Sequence, residues 1–290
     1  MEKLLSKFAF WQKKHERVDL GVHVTPDALT VYQADAALRP IPLTDHNWHE
    51  AFETLAKRTP GAHLQLVLNA AYYQLLIVDK PVVEESEISQ ALPWSIKDML
   101  AKPLSEVHFD YFESPQSNSN KLTVVVVERQ LLSNMAVAAQ NCGIVIEGIT
   151  IPEMAISHVL GDASQAQLVL CHEPNQELKL AVIKQGQLFM QRSVRGFNQL
   201  HSISAQDLSL GVADNLSLEL QRSMDYFESQ LRQAPITSIK VLMEGASEEL
   251  AQLLSNNFDQ QVTSIACTRV ADKLAELAYA EFSYSQQEVA

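Results

Sequence analysis

What the chain lacks narrows its function before any motif is read. Cysteine occurs at only 3 of 290 positions, Cys142, Cys171 and Cys267, far apart and with no CxxC spacing. Isolated thiols in apolar surroundings argue for reduced, buried side chains and against a disulfide framework. No run of 18 apolar residues exists, and the N-terminus has no continuous apolar core of a signal peptide, so neither a membrane-spanning helix nor secretion is expected and a cytoplasmic location follows. Basic residues are scarce: 22 Lys and Arg against 35 Asp and Glu give a net charge of -13. That balance argues against nucleic acid as a partner, because phosphate neutralisation needs clustered cations. Nine scattered histidines include no HExxH, and no GxSxG occurs, so metal-dependent and serine hydrolase chemistry find no support. Metal ligands are not expected: Cys171, His172 and Glu173 are adjacent, and neighbours on a strand point to opposite faces. Paired acids such as Glu84-Glu85 and Glu248-Glu249 suit helix N-termini.

What is present indicates a duplicated α/β protein. The length suits two domains, and 47% hydrophobic residues are typical of globular chains. Leu168 to Phe197 holds three apolar runs separated by Glu173-Pro174-Asn175 and Lys184-Gln185-Gly186-Gln187, which predicts a three-stranded meander. A shorter echo lies near the start, with Val18 to Val22, a turn at Thr25-Pro26-Asp27, and Leu29 to Tyr32. A helical pattern follows each unit.

The rest of the chain fills in around these units. Met1 to Arg17 carries a net charge of +3, leaving -16 for the remainder, and sets Leu4, Leu5, Phe8 and Trp11 on one helical stripe. Such a segment can dock on its own domain or touch an anionic membrane surface. Asn47 to Arg58 reads as a helix, and His63 to Asn69 and Tyr73 to Asp79 read as strands. Acids at Glu84 to Glu87 open a helix bearing Ile88, Ala91, Leu92 and Ile96, which Pro93 is expected to interrupt. A turn through Lys102-Pro103 leads to a strand over His108 to Phe112, then a polar loop and a strand over Lys121 to Val127. A helix over Gln130 to Asn141 and a strand over Gly143 to Ile151 close the first half. In the second half, Leu216 to Leu231 is a helix with its apolar stripe in the core, and Ser247 is a plausible N-cap for a helix over Glu248 to Asn256.

Three stretches carry a family resemblance over nearly the whole length. EISQALPWSIKDMLAKPLSEVHFDY (Glu87 to Tyr111) resembles the inserted subdomain of the PilM-like, actin-like proteins of type IV pilus assembly. LELQRSMDYFESQL (Leu218 to Leu231) resembles a helix of that family, and Asp19-Leu20-Gly21 its first-hairpin signature. Val241 to Leu254 stands where the family has a glycine-rich strand-to-helix turn. Among its members the chain looks most like those of the mannose-sensitive haemagglutinin (MSHA) pilus. The resemblance implies an actin-like fold of two ribonuclease-H-like halves, with a small α+β insertion and a reduced second lobe. The halves are expected at 18–150, with the insertion at about 82–128, and at 151–290, after a basic segment at 1–17. It also implies a scaffold at the inner face of the inner membrane, near the pilus assembly motor, that binds the N-terminal cytoplasmic tail of a PilN-like bitopic inner-membrane protein. By resemblance the binding groove lies between the first hairpin domain and the insertion, with Trp94, Ile96, Leu100, Phe109 and Tyr111 as candidates to shape it. An extended peptide can add main-chain hydrogen bonds to a sheet edge there.

The nucleotide chemistry of such folds is depleted. Asp19 and Gly21 remain at the first hairpin, but Val22, His23 and Val24 replace hydroxyl donors for phosphate. At the second, Cys171-His172-Glu173-Pro174 stands where an aspartate two residues before a glycine is the pattern; proline lacks an N–H and Glu173 repels phosphate. At the third, Gly245 is the one glycine kept, beside Glu244. Asp19, Gly21 and Gly245 are therefore read as a vestigial nucleotide cleft, with no catalytic residue, no ATP or magnesium cofactor expected, and a pseudo-ATPase as the outcome. Two readings from other classes stay open: an ATP-binding or ATP-hydrolysing protein, and a peripheral membrane protein acting through its N-terminal helix.

Overall fold

A computed structural model of the protein describes residues 16–34, 36–115, 120–160 and 164–287. The basic stripe of Met1 to Arg17 lies outside the described residues except for Glu16 and Arg17.

Alternating β-branched and aliphatic residues build the first sheet. Strand β1 (Val18–Val24) turns at Thr25, whose hydroxyl accepts from the Ala28 amide at 3.1 Å, into β2 (Ala28–Gln33). Two-residue strands β3 (Ala36–Ala37) and β4 (Ile41–Pro42) add to β2, while β5 (Ala62–Leu68) and β9 (Val145–Thr150) add in parallel, giving the order β3-β2-β1-β5-β9. Helix α1 (Trp48–Arg58) begins where Asn47 accepts from the Glu50 amide and buries Trp48, Ala51, Phe52 and Leu55 against Leu20, Val22 and Val24.

Between β5 and β9 the chain inserts a separate sheet of β6 (Tyr73–Asp79), β7 (Val107–Glu113) and β8 (Lys121–Glu128), ordered β6-β8-β7. Its core is closed by α2 (Ile88–Ile96) through the fully buried Ile88, Leu92 and Ile96. The expected interruption at Pro93 does not occur. Proline costs one backbone hydrogen bond, but the buried side chains on both sides of it hold the helix through. Helix α3 (Arg129–Asn141) then returns to β9.

The second half repeats the first. Strands β10 (Gln167–His172), β11 (Leu178–Lys184) and β12 (Gln187–Val194) form the expected meander, and β13 (Ser238–Met243) and β14 (Gln261–Ser264) extend it in parallel as β12-β11-β10-β13-β14. The two orders are the same, with β1 or β10 central, the antiparallel strands on one side and the parallel crossover strands on the other, which is the structural form of the duplication. Helix α4 (Ala213–Asp225), prolonged by a wider turn over Tyr226–Gln230, lays Leu216, Leu220, Met224 and Phe227 into this core. Helix α5 (Ser247–Ser255) starts at Ala246 with no side-chain cap; Ser247 is its first helical residue and instead accepts from the Ser264 hydroxyl at 2.9 Å. The last helix, α6 (Val270–Gln287), leaves the second lobe and packs on β1, β2 and β5 of the first. A core between the lobes follows from that crossing, with Leu274 and Ala278 of α6 packed among Val67, Val169, Cys171 and Leu242.

Candidate functional site

The turns of the two halves meet, and what they bring together is a buried polar clasp. Glu173, just past β10, is 5% exposed; its Oε2 accepts from Asn69 Nδ2 at 2.7 Å and lies 3.2 Å from His23 Nε2. Asn69 follows β5 and His23 lies on β1, so one carboxylate of the second lobe joins two strands of the first. Burial on its own raises the Glu173 carboxyl, but His23, Lys179 and Asn69 outweigh it and hold the group below the usual carboxylate range. Glu173 Oε1 and the His23 ring nitrogens are buried without a hydrogen-bond partner. A second cluster stands beside the first. Lys179 of β11 is 2.9 Å from Glu153 Oε1 and donates to the Tyr73 hydroxyl at 2.8 Å, while that hydroxyl donates to Glu153 Oε2 at 2.6 Å. Tyr73 opens the inserted sheet and Glu153 lies in the turn Pro152–Ala155 linking the halves, so three parts of the chain converge. Burial and Glu153 hold the Tyr73 hydroxyl protonated far above its ordinary range.

The sequence reading missed this second cluster, although a signal was there. A lysine inside the apolar run Leu178 to Ile183 is a charge on a strand buried on both faces, and a buried charge needs a partner.

The residues expected at a vestigial nucleotide cleft are dispersed. Asp19 lies at the outer end of β1, 2.6 Å from Arg17 Nε, whose Nη1 is 3.3 Å from Glu147. Gly21 faces α6: a Cβ there would stand 2.0 Å from the Ala275 carbonyl oxygen and 2.4 Å from the Tyr279 nitrogen. Gly245, at φ +82°, lies under the His201 carbonyl, 2.3 Å from where a Cβ would be. Both glycines serve a close approach, and the approaching group is the protein's own backbone. His172 Nε2 donates to the Asn198 carbonyl at 3.2 Å, and the ring stacks on His201 at 5.5 Å; burial lowers its pKa against the Asn198 contact. Burial, then Glu173, pushes the Cys171 thiol up, so it stays protonated.

A groove of about 320 Å³ runs between the inserted sheet and the first lobe. Its walls are β7 and β9, each at the end of its sheet, with Tyr111 and Phe112 on one side, Ile149 and Ile151 on the other, and Val125, Val127 and Leu132 below. His108 and Asp110 stand at its edge. Of the five residues proposed to shape a peptide groove, Tyr111 lines this one. Ile96 is fully buried in the core of the insertion, against which Leu100, Phe109 and Tyr111 itself pack. Leu100 also lines a smaller cavity of about 180 Å³ beside Tyr72 and Lys102. Trp94 projects from α2, 75% exposed, with the Lys97 ammonium 5.3 Å above its ring.

Two lobes of one strand order, clasped at their facing turns and tied by a crossing terminal helix, define an actin-like α/β fold. Solved structures agree. The chain is similar to the PilM–PilN type IV pilus biogenesis complex at a TM-score of 0.61 and 16% identity, covering 92% of this chain and 97% of that one. It is similar to the cytoplasmic domain of EpsL, an inner-membrane component of the type II secretion system of Vibrio cholerae, at 0.50 and 16%, covering 90% and 94%. A Bacteroides thetaiotaomicron protein with an actin-like ATPase fold matches at 0.51 and 10%, covering 91% and 96%. No family model matches the sequence, and no curated protein matches it. Among the described residues no helix is long and apolar enough to cross a membrane.

Proposed function

We propose that the protein is a non-catalytic scaffold of a pilus or secretion assembly platform, of the MSHA pilus in particular, working at the inner face of the inner membrane beside the assembly motor. In this reading it binds the N-terminal cytoplasmic tail of a PilN-like bitopic membrane protein. The observation that carries it is the groove between the end strands β7 and β9. Two sheet edges facing one apolar channel offer main-chain hydrogen bonds and side-chain pockets to an extended peptide. The likeness to a PilM–PilN complex supports the choice of partner.

A magnesium nucleotide does not suit the residues at the facing turns. Glu173 and Asn69 bond directly across the place where phosphate turns would oppose each other, and the clearance at Gly21 and Gly245 is taken up by backbone. A buried carboxylate is a repulsive neighbour for phosphate. Contact with lipid through Met1 to Arg17 stays part of the proposal as an auxiliary anchor.

The test is fluorescence anisotropy with synthetic cytoplasmic tails of PilN-like proteins from the same genome. Tyr111→Ala and Ile149→Asp are each expected to weaken binding about tenfold or more, as loss of an anchor worth roughly 1.4 kcal/mol would. Failure of every tail to bind the unaltered protein sinks the proposal.

A further inference from the structure

We propose a second docking site, between the inserted sheet and the second lobe, for an extended peptide in which acidic residues alternate with apolar ones. The groove there encloses about 410 Å³ and is larger than the one beside Tyr111. It is walled by β6 and β8 of the insertion, by β12 and by the end of α4, so parts of the chain more than a hundred residues apart form it. Its floor is apolar and open to solvent at two large side chains, Ile77 at 59% and Tyr226 at 50% exposure. Large exposed apolar groups gathered in one concavity mark a contact surface rather than ordinary surface scatter.

Charge fixes the chemistry of the occupant. Among the described residues the lining contains three cations, Lys121, Arg192 and Arg222, and no carboxylate, in a chain of net charge -13. Arg192 and Arg222 share the single carboxylate of Glu219, which lies 17% exposed behind them and aims both guanidiniums. One negative charge between two arginines leaves a local excess of positive charge, and Arg222 is 67% exposed and able to take a second carboxylate. Lys121 pairs with Asp79 at 2.7 Å, both more than half exposed. A solvent-exposed pair of this kind adds little stability and exchanges readily for a ligand's carboxylate.

The shape of the occupant follows from β12. That strand ends its sheet, and along 188–192 it lines the groove. Ser114 Oγ already donates to the Phe189 carbonyl at 2.9 Å, so the outer side of β12 receives a hydrogen bond from the insertion. An extended peptide would continue that pattern, placing every second side chain on the apolar floor and the intervening ones toward Arg222 and Lys121. The groove beside Tyr111 adjoins this one along the same face of the inserted sheet, the two meeting at Phe112, and the end at Ile77 and Arg222 belongs to this groove alone.

The experiment uses the full chain and two labelled octapeptides, one alternating glutamate with leucine or phenylalanine, the other with lysine in place of each glutamate. The acidic probe is expected to bind and the lysine probe not to bind, with affinity falling as salt rises. Arg222→Glu and Ile77→Asp change exposed residues, so folding should persist, checked by the thermal midpoint. Each is expected to weaken the acidic probe at least tenfold, and Arg222→Glu to gain affinity for the lysine probe. Ile149→Asp, in the other groove, should leave the acidic probe unaffected. Equal binding of both probes, or unchanged binding by Arg222→Glu, overturns the proposal. So does a wild-type dimer that Arg222→Glu splits in sedimentation, because the face would then join two copies.

Discussion

Glu173 ties the two lobes together through a single side chain. A carboxylate at the turn after β10 is hydrogen-bonded to Asn69 and lies 3.2 Å from His23 of the other lobe, so it acts as a staple. Its folded pKa lies below the unfolded value, so the stability it contributes is fully present above the unfolded glutamate pKa of about 4.3 and fades as pH falls through the folded value. Urea denaturation of the protein and of Glu173→Gln from neutral to acid pH should therefore give curves that converge below about pH 4. Parallel curves over the whole range would show that the carboxylate's charge does not hold the lobes. His23 was visible in the sequence as a substitution for a phosphate donor, and Asn69 as the last residue of a strand. Their joint partner was not, because 104 residues separate Asn69 from Glu173.

At the scale of elements, the meander at 167–194 and the first hairpin were legible from alternation and turn residues, since both signals are local. Pro93 misled because a local propensity was outweighed by Ile88, Leu92 and Ile96 in a nonlocal core. Gly21 is the sharper case. The residue type signalled a close approach, but the group approaching is α6, from the far end of the chain. A methyl group there would meet helix backbone, which cannot rotate aside as a side chain can. Gly21→Ala should accordingly cost about 1–3 kcal/mol or more in chemical denaturation. A loss below roughly 0.5 kcal/mol, the size of an ordinary surface change, would mean that α6 does not bear on β1.

At the scale of the whole molecule, the two lobes are closed on each other by α6 and by the two buried clusters. A ligand present at a thousand times its Kd would add about 4 kcal/mol to stability, a shift of several degrees in the unfolding midpoint. Magnesium-ATP at millimolar concentration is expected to produce none. A clear rise in the midpoint would return the protein to the nucleotide-binding members of its fold. The open concavities that remain beside the inserted sheet are the two adjoining grooves that meet at Phe112, where the proposed binding is placed.

The sequence alone determined the α/β class and the duplication, because both are written in periodicity and turn chemistry; the insertion, expected at about 82–128, begins in the structure at Tyr73, whose strand reads locally like any other and joins the inserted sheet only through its pairing with β8. Only the tertiary structure decided which distant residues meet. The partner of Lys179, the burial of Ile96 against the exposure of Trp94, and the joining of Arg192 to Arg222 through Glu219 depend on contacts between distant segments. Periodicity says which face of an element is buried, but the neighbour it meets there is chosen by how the sheets and α6 pack.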